Sequence, residues 1–192
     1  MTPKERDIFI YTGLAGFLVA GLVVVLFMGP RWLASTEPEP TTTTTEPPKE
    51  VRKIHARLFY VADDGVHLQP VEQEVVYGDN TVEQAKRIVE AQVSAAKEPL
   101  ISAIPAGTTL RTLFLTDRGE AYVDLSPEVR SNHPGGTTNE ILTAYSLVSA
   151  LTLNLPAITG VQILIDGKEV DTLAGHLDLR RPLEQDARWI AP

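Results

Sequence analysis

Hydrophobic and polar positions along the chain divide it into three unequal stretches. From Ile8 to Met28 no charged residue interrupts 21 positions, IFIYTGLAGFLVAGLVVVLFM. At about 1.5 Å per residue a helix of this length is about 30 Å long, the thickness of the hydrocarbon core of a bilayer. Backbone groups in lipid must pair within their own segment, so residues 8–28 are expected to form a transmembrane helix that is retained rather than cleaved. Residues 29–52 lose all apolar periodicity: STEPEPTTTTTEPPKE has nothing to bury and reads as an extended, disordered tether. Residues 53–181 are expected to form the folded domain, with 182–192 as a tail that carries no periodic signal.

Within the domain the period changes several times. Residues 54–61 suit a strand, Asp63-Asp64-Gly65 a turn, and residues 66–76 a returning strand that Pro70 confines to a sheet edge. Extrapolated through that turn, the pairing sets His67 opposite Tyr60. Asp79 and Asn80 are helix caps, with Asn80–Glu83 or Thr81–Gln84 at capping-box spacing. Val82, Ala85, Val89, Val93 and Ala96 then recur on one helical face, with Glu83 and Arg87 spaced for an ion pair on the other. Pro99 ends this helix. TLRTLFLTDRGEAYVDLS, residues 109–126, alternates like a β-hairpin about Asp117-Arg118-Gly119. A second helix is expected over about 138–155, burying Ile141, Ala144, Tyr145, Val148 and Leu151, and stopped by Pro156. GVQILIDGKEV, residues 160–170, supplies the last strand and an Asp166-Gly167 turn. The order ββαββαβ predicts an α+β domain: one small sheet, mixed or largely antiparallel, with both helices on one face.

Composition narrows the function. A formal net charge of −8 over 192 residues, with no basic cluster, argues against nucleic acid as a partner. The absence of cysteine excludes disulfides, thiolate metal sites, a cysteine nucleophile and a lipid-modified cysteine anchor. Lys4 and Arg6 precede the apolar run and only Arg31 closely follows it. That bias puts residues 1–7 in the cytoplasm and the domain outside it.

Candidate chemistry concentrates in HPGGTTNE, residues 133–140. Asp124, Ser126 and His133 are of the types a hydrolase uses, but Ser126 precedes a proline and lacks a nucleophile turn. Gly135-Gly136 has neither the lysine nor the spacing of a phosphate loop. Local chemistry suffices: Thr137 and Glu140 have capping-box spacing, and Glu140 also suits the positive end of a helix dipole. His55, His67, His133 and His176 form no metal-ligand pair, and Asp63, Asp64 and Asp79 no calcium loop. Asp117 and Asp124 read as ordinary hairpin residues. No catalytic, cofactor-binding or metal-ligating residues are assigned, and no cofactor is expected.

The run GGTTNEILTAYSLVSALTLNLPAITGVQILIDGKEVDTLAGHLDL resembles the GerMN domain, a module of bacterial sporulation, germination and other envelope proteins. The likeness lies in Gly136, Glu140, Ser146-Leu147-Val148, Leu151-Thr152 and the strand and turn from Val161 to Gly167, together with the 109–126 hairpin and LFYVADDGVHLQPVEQEV. It covers residues 54–180 once, with no internal repeat. The resemblance implies a small α+β fold similar to ring-building motifs and a non-enzymatic role in assembling envelope complexes. Joined to the apolar run, it implies a single-pass protein of the bacterial cytoplasmic membrane with a periplasmic or extracellular domain. Envelope proteins are then the expected partners, and self-association stays open. A peptidoglycan- or carbohydrate-binding module is the alternative, which exposed aromatics on one sheet face would favour. A hydrolase acting through Ser126 or His133 is the third reading.

Overall fold

The computed structural model describes residues 51–192; the apolar run and most of the tether lie outside them. Among the described residues no helix is long and apolar enough to cross a membrane. The elements are β1 (Lys53–Val61), β2 (Leu68–Val76), α1 (Thr81–Val93), β3 (Leu110–Leu115), β4 (Glu120–Leu125), α2 (Glu128–Ser131), α3 (Thr137–Thr152), β5 (Gly160–Ile165), β6 (Lys168–Glu169) and a 3-10 turn at Ala187–Trp189.

The α+β class holds, but there are two sheets rather than one. β1 and β2 form a separate antiparallel hairpin, while β3-β4-β5-β6 form a mixed sheet in that order. β4 and β5 run parallel, joined through α2 and α3; the other pairs are antiparallel. α1 packs against β1, β2 and β3, and α3 packs against β1, β5 and α1. The two long helices are therefore held between the hairpin and the larger sheet, instead of covering one face.

That placement explains the burial on each helix. On α3, Leu142, Thr143, Ala144 and the whole run from Ser146 to Leu151 are buried, whereas Ile141 and Tyr145 are only half-buried. A helix covered on several sides cannot show a single stripe. Its small residues Ala144, Ser146, Ser149 and Ala150 leave room for the neighbours to approach. On α1 the buried set is Ala85, Ile88, Val89, Gln84 and Gln92. Asn80 caps this helix by accepting from the amide of Glu83 at 3.0 Å. The Glu83–Arg87 pair does not form. Each residue has a nearer partner one turn away, Lys86 for Glu83 and Glu90 for Arg87, both at 3.0 Å. The Gln84 side chain turns back, accepting from Gly78 N at 2.9 Å and donating to Val76 O at 3.3 Å. The chain comes so close there that a Cβ on Gly78 would lie 2.3 Å from Gln84 N.

The hairpin register also differs from the extrapolated one. Tyr60 faces Gln69, and His67 stays in the turn. Asp64 causes this: its carboxylate accepts from the amides of Val66 and His67 at 2.9 and 3.0 Å and meets His67 Nδ1 at 2.6 Å. An Asx-type turn of this kind lengthens the loop. Pro70 faces Phe59 in β2, an outer strand as its missing N–H requires.

Residues 171–192 are built into the fold. Leu179 N donates to Asp171 O at 2.8 Å, and Leu173 and Leu179 are buried. Leu183 exchanges two 2.9 Å hydrogen bonds with Val161, Trp189 lies 6.0 Å from Tyr145 ring to ring, and Ala191 N donates to Leu68 O at 2.8 Å.

Candidate functional site

Glu140 is the one fully buried carboxylate among the described residues, at 0% exposure. It does not cap its own helix. The residue before α3 is Gly136, at φ 86° and ψ 145°, and no side chain caps the first turn. The Glu140 carboxylate points instead at residues 173–176. Oε1 accepts from Leu173 N at 2.7 Å and Ala174 N at 2.9 Å; Oε2 accepts from His176 N at 2.8 Å and lies 3.2 Å from His176 Nδ1. Burial pushes its pKa up, but the amides of Ala174, His176, Leu173 and Leu177 pull it down further, leaving it below the ordinary carboxylate value. A carboxylate so surrounded stays ionised and acts as a pin for the strap formed by residues 171–183.

The other residues of HPGGTTNE serve the same scaffold. His133 Nδ1 accepts from Gly135 N at 2.9 Å, which puts the proton on Nε2, 3.2 Å from Thr143 Oγ1. Burial lowers the His133 pKa, outweighing the attraction of Glu140, so the ring is neutral at pH 7. Ser126 Oγ accepts from Thr109 N at 3.0 Å. Asp124 accepts from Gly167 N at 2.7 Å and forms an ion pair with Arg111, Nε to carboxylate 3.2 Å. No hydrogen bond joins any two of Asp124, Ser126 and His133, so the structure does not assemble the three into a triad.

The remaining candidates are dispersed. His55 is exposed on β1 opposite Glu74, His67 is held by Asp64, and His176 leans on Glu140. Among the described residues no group of three His, Cys, Asp or Glu side chains is placed to hold a metal ion. One open groove, of about 540 Å³, is lined by Val61, Ile101, Ile104, Pro134 and Leu142, with Asn132 and Asn139 as its polar flanks. It carries no charged side chain that could orient a charged ligand.

What separates the surfaces chemically is the state of the sheet edges. On β1, the edge away from β2 is closed three times. Asn154 accepts from Arg57 N at 2.9 Å and donates to Arg57 O at 2.7 Å. The buried amide of Gln92 does the same at Phe59, at 2.8 and 2.7 Å. Val61 N donates to Ile101 O at 2.9 Å. The outer edge of β2 carries Pro70, Glu72 and Glu74 and is joined by Ala191. β5 is covered by β6, by Leu183 and by a Gln162 bond to Leu179 O at 2.6 Å. Among the described residues no hydrogen bond reaches the outer edge of β3. Beside that edge Phe114 stands 60% exposed, with half-buried Tyr122 opposite it on β4.

Gln92 and Asn154 were not singled out from the sequence. Gln92 sits on the apolar stripe of α1, four residues after Ile88. A polar residue at an apolar position is the signal that points to a buried hydrogen-bonded role. Asn154 follows the last turn of α3 and carries no such mark.

The fold has solved relatives. A tandem pair of GerMN domains from the Bacillus subtilis sporulation protein GerM matches with a TM-score of 0.52 and 19% identity, over 70% of this chain and 46% of that one. The first GerMN domain of the same protein matches at 0.50 and 21%, over 69% of this chain and 96% of that domain. A Clostridium perfringens protein described as a candidate lipoprotein matches at 0.50 and 21%, over 72% and 91%. At these identities the likeness shows the fold. No curated protein matches the chain. The family model described as "Germane: Sporulation and spore germination" matches residues 57–171, from β1 through the β5–β6 hairpin. This stretch is most of the folded part and more than half of the sequence, and the chain belongs to the Germane, or GerMN, family.

Proposed function

We propose that this chain is a membrane-anchored, extracytoplasmic GerMN-domain protein that acts by binding rather than by catalysis, as an assembly module of the bacterial envelope. The apolar run 8–28 anchors it in the cytoplasmic membrane, and the 29–52 tether presents the domain outside. A sporulation or germination setting accords with the family's description. The observation that carries the reading is where the reactive side chains go. Ser126, His133, Asp124 and Glu140 are each engaged by the framework, while the β3 edge and Phe114 stay open. Crosslinking the native protein in its membrane should recover other envelope proteins. Recovery of none would count against the reading, and hydrolysis of an envelope substrate that is lost in Ser126→Ala or His133→Ala would replace it.

A carbohydrate-binding role has one observation in its favour: Phe114 and Tyr122 share an open sheet face. Aromatic faces can lie against sugar rings. Retention of the protein on purified sacculi, lost in Phe114→Ala, would select this second reading.

A further inference from the structure

β3 and the start of its turn read alike from both ends. Arg111-Thr112-Leu113-Phe114-Leu115-Thr116-Asp117 is a palindrome of side-chain type centred on Phe114, with opposite charges at its ends. Two copies of this strand laid antiparallel about Phe114 put Leu113 against Leu115, Thr112 against Thr116, and Arg111 against Asp117.

Backbone parity selects the same register. Thr116 N donates to Glu120 O at 3.0 Å, and Phe114 and Thr112 stand opposite Tyr122 and Asp124. The even positions therefore bond inward to β4, and Leu113 and Leu115 turn their N–H and C=O groups outward. Pairing about Phe114 joins Leu113 of each copy to Leu115 of the other, both in hydrogen-bonding positions. Phe114 meets Phe114 in the closer, non-hydrogen-bonded site between them. A shift by one residue sets outward groups against inward ones. Pairing about Leu113 puts Arg111 against Leu115.

We propose that β3 pairs with β3 of a second copy of this chain, antiparallel and centred on Phe114, joining two four-stranded sheets into one. The interaction deepens the binding reading above by naming one partner. Charge favours a copy as the occupant. The chain is acidic overall, at −8, so two copies approach best where each end of the strand meets its opposite, Arg111 against Asp117. Asp117 is exposed and the Arg111 side chain is 45% exposed, leaning on Asp124 and Asp166 at one end of the strand. Phe114, exposed in the single chain, becomes the middle of a row Tyr122–Phe114–Phe114–Tyr122 across the joined sheet. The β2 edge, with Pro70, Glu72 and Glu74, offers no such match: two copies there would oppose proline and carboxylates.

The chain has no cysteine, so introduced thiols report alone. In the full chain, Phe114→Cys puts the two thiols in directly opposed positions, with Cα atoms about 4.5 Å apart, within disulfide reach. Thr112→Cys puts them four residues out of register, about 13 Å apart. Under mild oxidation Phe114→Cys should give a linked dimer at least about tenfold faster than Thr112→Cys, the difference that this geometry sets. Equal rates, or a faster Thr112→Cys, overturn the proposal. Sedimentation of the unaltered chain over a concentration series should show monomer and dimer. Phe114→Lys, which opposes like charges, should raise the dissociation constant at least about tenfold and leave the melting curve of the monomer in place. An unaltered chain that stays monomeric throughout, or a Phe114→Lys chain that dimerises equally well, overturns it too. Membrane crosslinking of the unaltered chain separates the two levels: other envelope proteins captured without a dimer leave the binding role standing while self-pairing fails.

Discussion

The two sheets of this domain solve the same problem in different ways. A strand at the end of a sheet exposes a row of unpaired amides and carbonyls that can recruit another chain. The β1–β2 hairpin closes that row with side chains: Gln92 from α1 and Asn154 from beyond α3 each imitate a neighbouring strand, donating and accepting at one residue of β1. The four-stranded sheet closes its β5 side with backbone, a strap of residues 171–183 pinned by Glu140. Its β3 side is left open. Closing an edge with an amide side chain fixes two elements to each other, and closing it with a strap depends on whatever holds the strap. Among the described residues β3 is the long edge strand of this sheet whose outer side carries no hydrogen bond, and there the sheet can still be extended.

The strap should be the costliest closure to break. Glu140→Ala leaves the amides of Leu173, Ala174 and His176 with no partner in a buried site. Its loss of stability in urea unfolding should reach about 3–5 kcal/mol, with Glu140→Gln losing less because one acceptor oxygen remains. Gln92→Leu strands both backbone groups of Phe59 and should cost about 2–3 kcal/mol.

Acid should weaken the same region in two windows. The His133 pKa is lowered in the folded state by burial, so the unfolded chain takes up protons first as pH falls through its unfolded value of about 6.5, and stability drops from there. The Glu140 pKa is also lowered, its amide donors outweighing burial. Its contribution is complete above the unfolded value of about 4.5 and is lost as pH falls through the folded one. Thermal melts from pH 8 to 3 check the sign; Glu140→Gln should flatten the lower window and, by removing its attraction for a proton on His133, deepen the upper one. Asn154→Ala, at a half-buried site, should cost about 1 kcal/mol. Phe114→Lys should change monomer stability by no more than about 0.5 kcal/mol, because the ring it removes is mostly in water.

Strands and helices could be located from the sequence because their periods are local. Asn80 as a cap, Pro70 on an edge strand, and the Asp166-Gly167 turn, where both residues take positive φ, follow from chemistry within a few residues. The division into two sheets was not legible in that way. It depends on what lies on either side of α3, and a helix covered on several sides looks in sequence like a helix with an imperfect stripe. Glu140 shows the same limit. Its distance from Thr137 fits a capping box, and only the fold brings residues 173–176, more than thirty positions away, to its carboxylate. The site was legible only in outline: the types and spacing of Ser126, His133 and Asp124 gave no triad, but nothing local marked the edge of β3 as open. That follows from the pairing of every other strand.

Amide hydrogen exchange, read residue by residue in the full chain, tests the comparison most directly. The amides of Arg57, Phe59 and Val61 should be protected at every concentration. Leu113 and Leu115 should exchange fast in dilute solution and become protected as concentration rises, while Phe114, bonded toward β4, stays protected throughout. Protection of Leu113 and Leu115 in dilute solution would mean that the edge is already closed. Fast exchange that concentration does not slow would mean that no second copy comes to it.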